Sequence, residues 1–159
     1  MGATPSKHVP AKKGYTMIQL LDLAKRLPDK WIAQKPGVSY DAKYISHGDC
    51  QQALLAKLGP TSQRVVKIIY GTDGTTIQGV ILEMRFIIDL ELTVIEEAGE
   101  CERPGDNNAL NLKMAISDGI KRCCMRVGIG LELYTEHYDL ERALQRRADE
   151  QEQAELEAE

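Results

Sequence analysis

Alternating apolar and polar residues from Ile77 to Ile88 limit the possible folds more than any other feature of the sequence. This alternation predicts a strand with one buried face. A second, β-branched strand is predicted at 64–70, joined to the first by a turn that contains Asp73-Gly74. A third is predicted at 92–97. Three strands at such short spacing predict an antiparallel meander, and its apolar face is expected to carry Val80, Leu82, Met84, Phe86 and Ile88.

The stretch 109–134 predicts an amphipathic helix after the meander. Gly128 is placed to end this helix, since glycine readily adopts the left-handed conformation of a C-terminal cap. The other side of the helix is largely cationic and carries Lys113, Lys121 and Arg122, with Arg126 on its flank. Such a face is also common on an ordinary solvated helix. The core stripe is expected to comprise Leu112, Ile116, Ile120, Cys123 and Val127.

Two further helices are predicted in the first sixty residues. The first is capped by Thr16 and ends at Pro28, with a face of Met17, Leu20, Leu21, Ala24 and Leu27. Ser46 caps the second, Gly59-Pro60 ends it, and Asp49 occupies the capping-box position. The buried stripe of this second helix is expected to comprise Cys50, Ala53, Leu54 and Leu58.

The segment between these helices, 29–44, reads as a loop in which aromatic and basic residues interleave. Two interpretations stay open. The aromatic rings could stack on nucleic-acid bases while the lysines hold phosphates, or, as we favour, the rings anchor the loop on the core or on a neighbouring subunit. The residues concerned are Trp31, Tyr40 and Tyr44 with Lys30, Lys35 and Lys43.

Charge divides the chain into a basic body and an acidic end. The whole chain has a net charge of -4, but residues 136–159 hold nine acidic and three basic side chains. The remainder therefore has a net charge of +2, and a phosphate-binding protein needs only local positive charge. The predicted organisation is a flexible basic arm at 1–15, one α+β domain at 16–135, and an acidic helical tail at 136–159 that frays into solvent after Asp149.

No motif for catalysis, a cofactor or a metal stands out. The sequence has no phosphate-binding glycine loop, and its four cysteines lack paired spacing, which favours reduced thiols in the core. A magnesium-dependent nuclease site built from Glu83, Asp89 and Glu91 is a weak alternative, because Glu83 and Arg85 are expected to form an exposed ion pair. We expect no enzyme activity, no cofactor, and neither a signal peptide nor a membrane span.

Several strings of residues resemble one protein family. The stretch 109–134 contains Ser117-Asp118-Gly119-Ile120-Lys121-Arg122, Arg126-Val127-Gly128-Ile129-Gly130 and Leu133-Tyr134. Earlier in the chain stand Tyr44-Ile45-Ser46-His47 and Leu58-Gly59-Pro60. Together these strings resemble the Rad fifty-two superfamily of single-strand annealing proteins, above all its phage and actinobacterial members. The resemblance spans 44–134.

The resemblance implies a β-β-β-α annealing core, a homo-oligomeric ring, and ATP-independent binding and annealing of single-stranded DNA in homologous recombination and repair. The partners would be single-stranded DNA, its complementary strand, and a nuclease or single-strand-binding protein, in the cytoplasm of a bacterium or a phage-infected cell. Phosphates would contact Lys121 and Arg122 first, then Arg126 and Lys113, and behind them Lys67, Lys43 and Arg64.

Two departures from the family limit the analogy. Asp49 stands where some members have a basic DNA-contacting residue. A second, duplex-binding site is also doubtful, because the matching places read Asp89-Leu90-Glu91 and Glu100-Cys101-Glu102-Arg103. An alternative from another class is an oligomeric adaptor or structural protein whose cationic face meets an acidic protein surface. The acidic tail could dock a basic partner or mask the cationic groove.

Overall fold

The computed structural model describes residues 17–37, 39, 42–88 and 90–158, and shows an α+β protein. The predicted basic arm, the Thr16 cap, Tyr40 and Asp89 lie outside this range. In chain order, the elements are α1 (Met17–Ala24), β1 (Ile32–Gln34), β2 (Lys43–Ile45), α2 (His47–Leu58), β3 (Ser62–Tyr70), β4 (Ile77–Ile88), β5 (Glu91–Glu100), α3 (Asn108–Arg126) and α4 (Leu140–Ala158).

The predicted meander is confirmed: β3, β4 and β5 form an antiparallel sheet in sequence order. β4 has the predicted bounds, whereas β3 and β5 are longer than predicted. In the turn before β4, the Asp73 carboxylate accepts hydrogen bonds from the backbone N–H groups of Thr75 and Thr76. The predicted apolar face of β4 is buried from Val80 to Phe86, and Ile88 at its end is half-buried.

α3 lies across this apolar face of the sheet, and two glycines bring their backbones together. A Cβ on Gly119 would lie 3.1 Å from Leu82 Cβ, and a Cβ on Gly99 in β5 would lie 2.6 Å from the Gly119 nitrogen. Small residues therefore face the sheet. Of the predicted stripe, Ile120 and Cys123 are buried, whereas Leu112, Ile116 and Val127 are half-buried and pack against the core. The buried residues are Asn111, Ala115, Gly119, Ile120, Cys123 and Cys124.

α2 follows the prediction except at Leu58, which is half-buried while Cys50, Ala53 and Leu54 are buried. The Ser46 hydroxyl accepts a hydrogen bond from the Asp49 N–H at 3.1 Å, and Gly59, with φ of 77°, ends the helix. Cys50 packs against α3, where its Sγ lies 3.2 Å from Cys124 Sγ. All four cysteines are buried, unpaired thiols, as predicted.

The segment 29–44 was predicted to be a loop. It is instead partly ordered as strands, because it contains β1 and most of β2, which form an antiparallel pair. Each strand has only three residues, too few to show an alternating pattern. Ile45 of β2 is 3% exposed and belongs to the core, and Trp31 packs against that core. The pair thereby holds the polar residues of β2 beside α3.

Three asparagines organise the start of α3. Asn107 caps the helix because its side-chain oxygen accepts hydrogen bonds from the N–H groups of Ala109 and Leu110. Asn108 accepts from the Ile77 N–H at 2.9 Å and donates to the Thr75 carbonyl at 2.8 Å. Asn111, which is 2% exposed, donates to the Gly105 carbonyl and accepts from its N–H. The loop and the turn before β4 are thus both tied to the helix.

The two terminal helices pack on each other. Leu144 of α4 is buried, and the Tyr138 hydroxyl, just before α4, donates a hydrogen bond to the Ala24 carbonyl at the end of α1. α1 ends at Ala24, earlier than predicted, and buries Leu23 in place of the predicted Leu20 and Leu21, which are half-buried. α4 forms the predicted helix in the tail and continues to Ala158, with its described residues after Asp149 exposed. Glutamine–carboxylate hydrogen bonds four residues apart support it, and the fraying stays a prediction. In the part of the chain described, no helix has the length and apolarity needed to cross a membrane.

Candidate nucleic-acid interface

A cleft of about 500 Å³ lies between α3, the β1–β2 pair and the segment that follows α3. Its wall combines cations with aromatic rings, the two kinds of side chain that hold the backbone and bases of single-stranded nucleic acids. The central cation is Lys121, from the outer side of α3. The other residues that carry the argument are Lys35, Lys43, Tyr44 and Tyr134.

Lys121 is positioned by an aromatic ring from β2. Its Nζ lies 5.7 Å from the centroid of the Tyr44 ring, within the range of a cation–π interaction. β2 places Tyr44 there because its neighbour Ile45 is fixed in the core. The ammonium group is therefore held at the cleft wall, and Lys121 as a whole is half-exposed.

The cleft is not simply basic. Glu100, Glu102 and Asp118 also line it, equal in number to its three lysines. Lys35 Nζ lies 2.8 Å from Glu102, and this hydrogen bond holds the pKa of the Glu102 carboxyl below its usual value. Binding of a phosphate chain therefore has to compete with, or rearrange, ion pairs that already exist.

Arg122 does not line this cleft itself, but it is held by Asp118 of its own helix, which does. Its Nε donates to Asp118 Oδ2 at 2.8 Å, and the same oxygen accepts the Glu100 N–H at 2.9 Å. This contact raises the pKa of the guanidinium. The Arg122 side chain remains 45% exposed, so its other N–H groups can still meet a phosphate.

The other two predicted cations of α3 face elsewhere. Arg126 Nη1 lies 3.4 Å from Glu97 Oε1 of β5. Lys113 lines a separate groove beside His47, at the N-terminal half of α3. Of the four cations predicted on this helix, only Lys121 lines the cleft. Lys113 is eight residues from Lys121, and Arg122 is one residue from it. At about 100° per residue these side chains point in different directions, so the basic residues of α3 do not form one basic face.

Arg64 and Lys67 lie on the opposite face of the sheet from α3. Arg64 pairs across the strands with Glu83, whereas the α3 face carries their neighbours Val65 and Leu82. The expected Glu83–Arg85 pair is present at 2.6 Å, and Arg64 adds a second contact at 3.3 Å. Contrary to the prediction, Glu83 is buried rather than exposed. This arrangement stabilises the sheet and is remote from the cleft.

Sequence reasoning placed Lys43 only in the last group of candidates and gave Tyr134 no role. Tyr134 follows α3 and lines the cleft, and burial of its ring together with the nearby Asp118 charge raises the pKa of its hydroxyl. The interleaving of lysine and aromatic residues in 29–44 was the available signal for Lys35 and Tyr44. Because the β1–β2 pair was not predicted, nothing in the sequence indicated that Lys35 and Tyr44 lie against α3.

Of the carboxylates considered for a nuclease, the two that the structure describes, Glu83 and Glu91, are not brought together. Glu83 lies in the middle of β4, whereas Glu91 is opposite Ile88 at the far end of the sheet. Across the described ranges, histidine, cysteine and acidic side chains form no group of three or more that could hold a metal ion. The chain matches no protein-family model, and no curated protein is significantly similar to it.

Proposed function

We propose that this chain is an ATP-independent single-stranded DNA-binding and strand-annealing protein of the Rad fifty-two type. The observation that carries the proposal is the position of Lys121 against Tyr44, in a cleft that Lys43 also lines. Lys121 belongs to the segment on which the family resemblance is strongest. The residue that the cation–π contact places at the cleft is therefore also one that the resemblance implies to be a phosphate contact.

Phosphate contacts to Lys121, Lys43 and Arg122 would hold the strand without regard to its sequence. Tyr134 and Tyr44 add aromatic surface on which a base can stack. In this proposal, the β-β-β-α unit is the annealing core and the subunits form a ring along which the strand runs with its bases available for pairing. Base pairing supplies the free energy of annealing, so no nucleotide hydrolysis is needed.

The first experiment measures annealing of two complementary labelled oligonucleotides, without ATP or metal, at several salt concentrations. We expect the parent protein to accelerate annealing and Lys121→Ala to bind single-stranded DNA about tenfold more weakly, since a charge-assisted hydrogen bond contributes about 1.5 kcal/mol. Lys67→Ala is the matched control, because it removes the same charge from the opposite face of the sheet.

Three outcomes would contradict the proposal. Absence of acceleration by a folded, assembled parent protein would favour the adaptor class. Equal loss of DNA binding in Lys121→Ala and Lys67→Ala would mean that the cleft is not the binding site. Magnesium-dependent cleavage of the strands would favour a nuclease.

A further inference from the structure

The tip of the β4–β5 hairpin exposes three large apolar side chains. We call Ile87, Leu90 and Leu92 the hairpin knob. Their exposed fractions are 63%, 97% and 62%, and Ile87 lies directly opposite Leu92 in the sheet. Leu90 also has φ of 66°, a left-handed conformation that a leucine adopts only against steric resistance.

A strained backbone that presents an apolar side chain to water is unfavourable on both counts. Such features persist where they serve an interaction. A turn residue such as glycine or asparagine would avoid both costs at this position. The hairpin knob is therefore a candidate for insertion into an apolar surface of a partner.

The same chain carries an apolar groove of about 650 Å³ along the N-terminal half of α3. We call it the α3 groove, and define it by Leu110, Leu112, Met114 and Ile116. Leu110 and Met114 are 53% and 42% exposed. His47 and Lys113 also line it and are exposed.

The hairpin knob cannot reach the α3 groove of its own chain. The first residue of β4, Ile77, is hydrogen-bonded to Asn108 at the start of α3. The hairpin tip follows Ile88, eleven residues further along an extended strand, which is roughly 35 Å away at about 3.3 Å per residue. A contact between the two surfaces therefore requires two molecules.

We propose that the hairpin knob of one protomer binds in the α3 groove of a second copy of this chain. The charges agree with this pairing, because the acidic Glu91 is exposed beside the knob and the basic Lys113 is exposed and lines the groove. The two surfaces differ, so the contact is head-to-tail. Repetition of such a contact closes into a ring or grows into a filament.

This inference deepens the assembly step of the proposed function, and it is tested without DNA. Sedimentation velocity of the full chain compares the parent with Leu90→Asn, which removes the knob and suits a left-handed backbone, and with Leu110→Glu, which places an acid in the groove. A glutamate in the first turn of a helix favours the helix, so Leu110→Glu is compatible with folding. Leu55→Glu, at an equally exposed leucine of α2, is the control.

We expect the parent and Leu55→Glu to form assemblies larger than a dimer, and each of the other two variants alone to sediment as a 17.7 kDa monomer. An equimolar mixture of Leu90→Asn and Leu110→Glu should form a heterodimer, because one variant retains the groove and the other the knob. A misfolded variant could not complement its partner in this way.

The inference is overturned if the parent is monomeric, if either variant assembles like the parent, or if the mixture stays monomeric. These results are separable from the DNA measurements. Complementation without DNA binding by the parent would leave the assembly in place and contradict the annealing proposal. Lys121-dependent DNA binding with unchanged assembly of both variants would support the annealing proposal and contradict the proposed contact between protomers.

Discussion

Gly99 of β5 and Gly119 of α3 touch through their backbones, with no room for a side chain between them. A Cβ on Gly99 would lie 2.8 Å from Gly119 Cα and 2.0 Å from the Ala115 carbonyl oxygen. These obstructing atoms belong to the backbone and cannot rotate away. The sheet and α3 are consequently locked at one separation.

Gly99→Ala should therefore be among the most damaging single changes in this protein. Overpacking between two backbones lowers the free energy of unfolding by about 3 kcal/mol, and for a chain of this size the melting temperature falls by roughly 6–12 °C. Gly105→Ala is the control, because a Cβ there meets nothing within 4 Å. Equal melting temperatures for the two variants would contradict the packing described.

Asn111→Ala should release the loop that precedes α3. The side chain makes two hydrogen bonds to Gly105, of 2.7 and 2.9 Å, from a buried position. Their loss lowers the free energy of unfolding by about 2 kcal/mol. Hydrogen exchange adds a local readout, since the Gly105 amide should be protected in the parent and exchange rapidly in the variant. Unchanged protection would show that the loop is held by other contacts.

The stability contributed by Glu83 should disappear in acid. Hydrogen bonds from Arg85 and then Arg64 lower the pKa of this carboxyl. A lowered pKa means that the stabilisation is present above the unfolded-state value of about 4.3 and is lost as the pH falls through the lower folded-state value. Glu83→Gln should therefore destabilise the protein at pH 7 and have progressively less effect below pH 4.

Urea unfolding at several pH values measures this effect. Glu96→Gln serves as the control, since Glu96 lies directly opposite Glu83 in β5 and is exposed. A constant difference between parent and Glu83→Gln from pH 7 to pH 3 would mean that the ion pairs contribute nothing.

The salt dependence of DNA binding should report how many phosphates the cleft holds. For single strands, each neutralised phosphate contributes about 0.7 to the slope of the logarithm of affinity against the logarithm of salt concentration. Lys121→Ala should reduce the slope by about that amount, because it removes one contact. Lys67→Ala should leave the slope unchanged, and equal slopes for parent and Lys121→Ala would exclude Lys121 as a phosphate contact.

The thiols should be slow to react in the folded protein. Each of the four cysteines is at most 2% exposed, and burial raises the pKa of the Cys123 thiol to about 11. Thiolate is the reactive form, so a water-soluble aromatic disulfide reagent should modify the native chain only at the rate of its opening. All four thiols should react promptly in denaturant. Rapid modification of the native protein would place a cysteine at the surface.

The sequence predicted those elements whose local signals agree with the tertiary packing. The alternation of β4 and the turn at Asp73-Gly74 specify a meander without any long-range information. Ser46 and Gly59 likewise specify both ends of α2. In each case a single dominant interaction, strand burial or helix capping, decides the structure.

The prediction failed where the structure depends on packing between residues that are distant in sequence. The buried side of α3 is set by Gly99 of β5, so small residues such as Ala115 are buried where larger ones were expected. The prediction looked for large apolar residues, so it placed the buried face of α3 to one side of the face that the small residues occupy. The predicted list of site residues included cations outside the cleft for the same reason. Charge alone did not distinguish Lys121 from Lys113 or from the cations on the far side of the sheet.

The two hydrogen bonds of Asn108 bear on how this chain can be labelled or tagged. A surface turn between two strands is normally the first choice for inserting a peptide epitope or a fluorophore. Here the turn before β4 is bonded through the Thr75 carbonyl to α3. An insertion there would pull on the helix that carries Lys121, so the exposed C-terminal end of α4 is the safer attachment point.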